Sequence, residues 1–139
     1  MSEKLTAPLP PLPPVKQWLP PVVIAWLVPG GGHFYLKRHY RGAILGGCTI
    51  ILFVLGLLMR GYLFEPMTGD LLTTIIYVGG AIADRATGLL YILARIFGYN
   101  ALDVAGHSVD YGTKFMVIAG LFNILAMVDA FEIASGRKD

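Results

Sequence analysis

The chain is 139 residues long, 55% hydrophobic and 14% charged, where an ordinary soluble domain carries about 25% charged residues. With a mean hydropathy of +0.64, that shortage of charge points away from a water-soluble globule. A net charge of +2 leaves no basic field with which to gather nucleic acid. The single cysteine, Cys48, excludes an internal disulfide and any zinc site built on cysteine pairs.

Seven of the nine prolines fall within residues 1–21. Residues 1–16 therefore read as an extended, proline-rich polyproline II arm with no core of its own. Such a stiff segment also loses little entropy when it lies along a partner subunit. A signal peptide is not expected, because prolines interrupt the leader and the apolar stretch ends in Pro29-Gly30-Gly31-Gly32 without a small-x-small cleavage pattern.

Residues 17–59 read as a transmembrane hairpin. Gln17 to Leu36 gives twenty residues without formal charge and Gly42 to Met59 gives eighteen, close to the roughly 20 that cross about 30 Å of hydrocarbon. The five-residue link Lys37-Arg38-His39-Tyr40-Arg41 is short enough to make the two spans antiparallel neighbours. Regular helix is expected from Pro21 to Val28, with Pro20 and Pro21 in its first turn, and a bend or unwinding near His33 after Pro29 and three glycines.

Residues 60–114 read as a connecting region. Asp84 and Arg85 interrupt its apolar stretch from Leu71 to Gly98. Each would cost about 2.5–3.5 kcal/mol at the centre of a span, and as i, i+1 neighbours they do not face each other. Two shorter helices, 71–83 and 86–97, lying in or dipping into the interface, fit better than one crossing helix, which remains the alternative. Residues 115–139 read as a C-terminal transmembrane helix from Phe115 to Phe131 with a short charged tail. Asp110 or Thr113 would cap its start, and Gly136 followed by Arg137 and Lys138 would end it. The whole is an all-α integral membrane protein: an antiparallel transmembrane hairpin, a C-terminal span and a further interfacial or crossing helical segment.

Three spans would put Lys37, Arg38, Arg41, Arg137 and Lys138 on one side, and Lys4, Lys16, Arg60, Arg85, Arg95 and Lys114 on the other. The three cations in the short hairpin loop should dominate orientation, which places that loop in the cytoplasm.

Candidate chemistry is sparse. Gly30, Gly31 and Gly32 lack the G-x-x-x-x-G-K-[ST] ending of a phosphate loop and precede a basic turn, so they read as places of close backbone approach. His33, Phe34 and Tyr35 would lie at the interface, with Lys37, Arg38 and Arg41 meeting lipid phosphates or acidic groups of a partner. Gly42 and Gly46 open the second span at GxxxG spacing, and Ala119, Asn123, Ala126 and Ala130 form one stripe on the last, both packing signals. Asp84, Arg85 and Asp129, with Asn123, are candidates for a polar relay, since ionisable residues inside a membrane are functional candidates by default. His33 and His107 are the histidines considered for a haem or pigment, and Asp103, His107 and Asp110 for a metal. Neither set has a supporting motif, so no cofactor and no metal are expected. No nucleophile is paired with a base, and no small-molecule substrate is evident.

The run Ala25-Trp26-Leu27-Val28-Pro29-Gly30-Gly31-Gly32-His33-Phe34-Tyr35-Leu36-Lys37-Arg38-His39-Tyr40-Arg41-Gly42 resembles the hairpin of the two-transmembrane domain family. There an apolar helix leads into Gly-x-x-His-x-Phe-Tyr-Leu-Gly-Arg and a second helix; here Lys37 stands where that pattern has glycine. The C-terminal pattern from Asp110-Tyr111-Gly112-Thr113 to Gly136-Arg137-Lys138 is similar to small bacterial membrane proteins of unknown function. Neither resemblance implies a catalytic residue. The expected function is a non-enzymatic structural or accessory subunit of a larger complex in the bacterial inner membrane, multi-pass, with lipids and other membrane subunits as partners. The alternatives are a component of an oligomeric transporter or channel, or a pigment- or haem-binding subunit.

Overall fold

The computed structural model describes residue 8 and residues 11–100 and 106–138. Its elements are α1 (Val15–Leu27), α2 (Gly31–Tyr35), α3 (His39–Leu58), α4 (Leu71–Ala86), α5 (Leu89–Ile96) and α6 (His107–Ala134), with no strand among the described residues. Two of these helices, α3 and α6, are long and apolar enough to cross a membrane, and α4–α5 would make a third were it one span bent by 98°.

Helix α6 is the axis of the bundle, and α1, α3 and α4 all pack on it. The first and second apolar segments are therefore not a hairpin of two neighbouring spans: α1 and α3 each lie mainly against α6. Helix α1 is also only 13 residues long, about 20 Å at 1.5 Å per residue. It runs antiparallel to α6, as Trp18 meets the Phe131 ring and the Trp26 carbonyl reaches Asn123. The chain then reverses at Pro29-Gly30 and comes back through α2 until His33 meets Asp129. The segment thus enters and leaves at one end of the bundle, which also holds Lys37, Arg38, Arg41, Arg137 and Lys138. Lys16, expected at the opposite end, joins them because the segment folds back. Lys4 lies outside the described residues.

The second broken segment mirrors this from the other end. Helix α4 runs alongside α6 from Leu71 to Ala86, whose carbonyl meets Asn123. After the break at Thr87-Gly88, α5 leads back until the Tyr99 hydroxyl donates to the Gly61 carbonyl at 2.6 Å. Gly61 follows the end of α3, where Ser108, at the start of α6, donates to the Met59 carbonyl. Both ends of α4–α5 therefore lie at the far end of the bundle. The helices are 71–86 and 89–96, so Asp84 and Arg85 belong inside the first rather than in the gap expected between two. Asp70 precedes α4, and the Thr73 hydroxyl that donates to its carboxylate holds that carboxyl below its usual range.

Two helix starts also differ from expectation. Helix α1 begins at Val15, which puts Pro20 and Pro21 in its interior rather than in its first turn. Helix α6 begins at His107, eight residues before Phe115. Gly112 lies inside this helix, at a position that needs glycine because a side chain there would meet the Gly61 amide at 2.7 Å and the Gly56 carbonyl at 2.9 Å. Thr113 does not cap: its hydroxyl donates to the Val109 carbonyl and accepts from the Tyr62 amide.

The core is built from Phe53 of α3, Leu63, Ala94 of α5, and Met116 and Ala119 of α6. The link 59–70 between α3 and α4 is threaded through it without regular structure. Irregular backbone inside an apolar bundle must find protein partners, and here the Tyr62 amide takes Thr113 and the Phe64 amide takes the Asp84 carboxylate at 2.6 Å.

Candidate functional site

The two broken segments meet near the middle of α6, and Asn123 joins them. Its side-chain amide donates to the Ala86 carbonyl at 2.7 Å and, at 3.4 Å, to that of Trp26. Both carbonyls belong to helix ends, whose last C=O groups have no intrahelical partner. The Trp26 indole in turn donates to the Arg85 carbonyl at 3.0 Å, so α1 and α4 exchange hydrogen bonds directly. Contact at this depth needs Gly88, which has φ +60° and whose missing side chain would overlap the Trp26 carbonyl. Gly120 plays the same part beside the Ala83 carbonyl.

The charged end is organised around Asp129. His33 is fully buried, and its Nε2 lies 2.8 Å from Oδ2 of Asp129. Arg41 approaches the same oxygen at 3.6 Å, while Lys138 pairs with Oδ1 and lies 3.9 Å from Glu132. The turn before His33 rests on α3. Side chains added at Gly30 or Gly46 would overlap the Gly42 or Pro29 carbonyl, and Gly42 faces the Gly30 carbonyl. The GxxxG face of α3 thus receives a backbone turn rather than a second helix. Gly32 approaches Pro21, Ala25 and Ala130, which ties α2 to both α1 and α6.

Of the residues singled out from the sequence, Gly30, Gly32, His33, Gly42, Gly46, Ala119, Asn123, Ala126 and Ala130 are all buried, and Gly31 is partly so. Phe34, Tyr35, Lys37, Arg38 and Arg41 are exposed around the turn. The relay residues are not brought together. Asp84 is buried and holds the Phe64 amide, and Arg85 donates to the Ala81 carbonyl and lies over the Tyr91 ring. Asp129 is nine residues beyond Gly120 along α6, about 13 Å. His107 is exposed, and Asp103 lies outside the described residues. No cluster of three metal-ligating side chains occurs among the described residues.

The sequence reading missed the pairing of His33 with Asp129. Its one signal was that both residues sit at the ends of apolar segments assigned to one side of the membrane.

Residues 21–139 match a family of unknown function, DUF6677, and the chain belongs to that family. No curated protein and no solved structure matches it.

Proposed function

We propose that this chain is an integral protein of the bacterial inner membrane, crossing it with α3 and α6, and that it serves as a non-enzymatic structural or accessory subunit of a larger membrane complex. The observation that carries this reading is the use to which Asn123 is put. A polar side chain at mid-depth, a candidate for a relay, is occupied in fastening two broken helices to the central one. Its neighbours act alike, Asp84 on the Phe64 amide and His33 on Asp129. In this setting the two broken segments dip in from opposite faces and return, which hydrocarbon tolerates only where their free backbone groups are buried in protein. The cation-rich end, with Lys16, Lys37, Arg38, Arg41, Arg137 and Lys138, faces the cytoplasm by the positive-inside rule. The proline-rich sequence before α1 suits a strip that lies along a partner. Extraction in mild detergent followed by native electrophoresis and mass spectrometry tests this reading. Recovery with a defined partner subunit is the expected result, and a lone monomer in every detergent overturns it.

One observation favours a second reading, a component of an oligomeric transporter or channel. His33 Nδ1, Asp84 Oδ1 and Asn123 Oδ1 are buried without hydrogen-bond partners, at three levels along α6, and such groups in a membrane mark ion or proton paths. Flux through proteoliposomes that falls in Asp84→Asn would favour this reading, and flux unchanged by Asp84→Asn and Asp129→Asn would remove it.

A further inference from the structure

Between α3 and α6, at the cation-rich end, the surface carries a groove of about 500 Å³. Its walls are apolar, with Ile44, Leu125 and Val128 exposed along the outer faces of the two helices, and its mouth is charged, with Arg41, Glu132 and Lys138. We propose that this groove binds one phospholipid with a zwitterionic aminoethyl-phosphate headgroup, phosphatidylethanolamine. The proposal rests on the membrane setting proposed above.

Charge complementarity selects the occupant. Arg41 and Lys138 are balanced by Asp129 and Glu132, so the mouth has no net charge and offers both signs. An anionic headgroup would bring its phosphate to the cations but would leave the Glu132 carboxylate facing further negative charge. A zwitterionic one answers both. Its phosphate meets the Arg41 guanidinium, held among the described residues by a 3.6 Å ion pair and 43% exposed, whose fork of donors suits phosphate oxygens. Its ammonium meets Glu132, 44% exposed, whose nearest cation is 3.9 Å away. The acyl chains then run along Ile44, Leu125 and Val128, where detergent or lipid must lie in any case. The depth order also fits: charge sits at the helix ends and apolar wall one to two turns further in, as headgroup and chains are ordered in a leaflet.

The test uses the full-length protein in detergent, delipidated and then titrated with phosphatidylethanolamine or phosphatidylglycerol of the same acyl chains, read by native mass spectrometry and by the thermal midpoint. Phosphatidylethanolamine should be retained about tenfold more tightly, a ratio worth about 1.4 kcal/mol, and should raise the midpoint further. Arg41→Gln and Glu132→Gln, both at exposed positions, should each abolish the preference, whereas Lys37→Gln, outside the groove, should preserve it. Equal retention of the two lipids, or tighter binding of phosphatidylglycerol, overturns the proposal while leaving membrane residence intact. So does a preference that survives Glu132→Gln, or a copurifying subunit whose cross-links fall on Arg41 and Glu132. A chain left in the supernatant after carbonate extraction overturns the membrane setting itself.

Discussion

His33 and Asp129 stand 96 positions apart in the chain, and their side chains meet at 2.8 Å where the returning α2 reaches the end of α6. The imidazole is wholly buried and its Nδ1 has no partner, so the bond to Asp129 is the only listener its ring has among the described residues. Removing the carboxylate strands a buried polar ring, which costs more than the bond itself contributes. Asp129→Ala should lower stability by about 1.5–3 kcal/mol, read as a reduced thermal midpoint in detergent. Asp129→Asn, which keeps an acceptor oxygen beside Nε2, should lose less. Equal midpoints for Asp129→Ala and the unaltered protein would show that the pair does not hold α2 in place.

Lys37 lies two residues beyond the end of α2, with φ +60°. Its amide bonds the Phe34 carbonyl and the next amide, of Arg38, bonds that of His33, the paired closure that usually places glycine at this position. A side chain there costs about 1–2 kcal/mol. Lys37→Gly should therefore stabilise the protein by about 1 kcal/mol, whereas Lys37→Ala, which keeps a Cβ in the same strained region, should gain nothing. Thermal unfolding of the two variants side by side makes the comparison.

The glycine-marked breaks show what the sequence made legible. An all-helical chain with span-length apolar helices follows from runs without charge, because hydrocarbon demands such runs whatever their neighbours are. The break after Leu27 is written in Pro29 and the three glycines, and the end of α6 in Gly136. What could not be read is where a broken helix goes next. Reversal at Gly30 depends on the Gly42–Gly46 face of α3 being present to receive the turn, and the depth of the Gly88 break depends on Asn123 offering a donor there. Both are long-range facts that local pattern does not carry. Gly112 is a further case: a helix breaker by propensity, it lies inside α6, where its missing side chain admits Gly61.

Gly46 and Gly47 are neighbours on α3 with opposite expectations. A methyl group at Gly46 overlaps the Pro29 carbonyl, while at Gly47 it meets nothing within 4 Å. Gly46→Ala should destabilise the protein by forcing the turn away from α3, with a penalty of about 1–3 kcal/mol as for other overpacked contacts. Gly47→Ala should be neutral or stabilising by up to about 1 kcal/mol, through helix propensity alone. If both substitutions behave alike, the turn does not rest on that face.

The arrangement at mid-depth makes the most specific prediction, because one side chain of α6 donates to both broken segments. Asn123→Ala leaves the Ala86 and Trp26 carbonyls without their donor and opens space between α1, α4 and α6. Interhelical hydrogen bonds inside membranes contribute about 0.6–1.7 kcal/mol each, so the loss in overall stability should be moderate. Its distribution is what distinguishes a clamp from ordinary packing. Local opening follows local stability, so hydrogen exchange should accelerate in residues 26–31 and 86–90 together, although nearly sixty positions separate them, while exchange in the stretch of α3 around Phe53 changes little. The direct bond from the Trp26 indole to the Arg85 carbonyl gives an independent check: Trp26→Phe should loosen the same two segments, and combined with Asn123→Ala should cost less than the sum of the single changes, because each substitution already frees the junction the other holds. Acceleration confined to one segment in Asn123→Ala, or strict additivity in the double variant, would mean that the two broken helices are held separately.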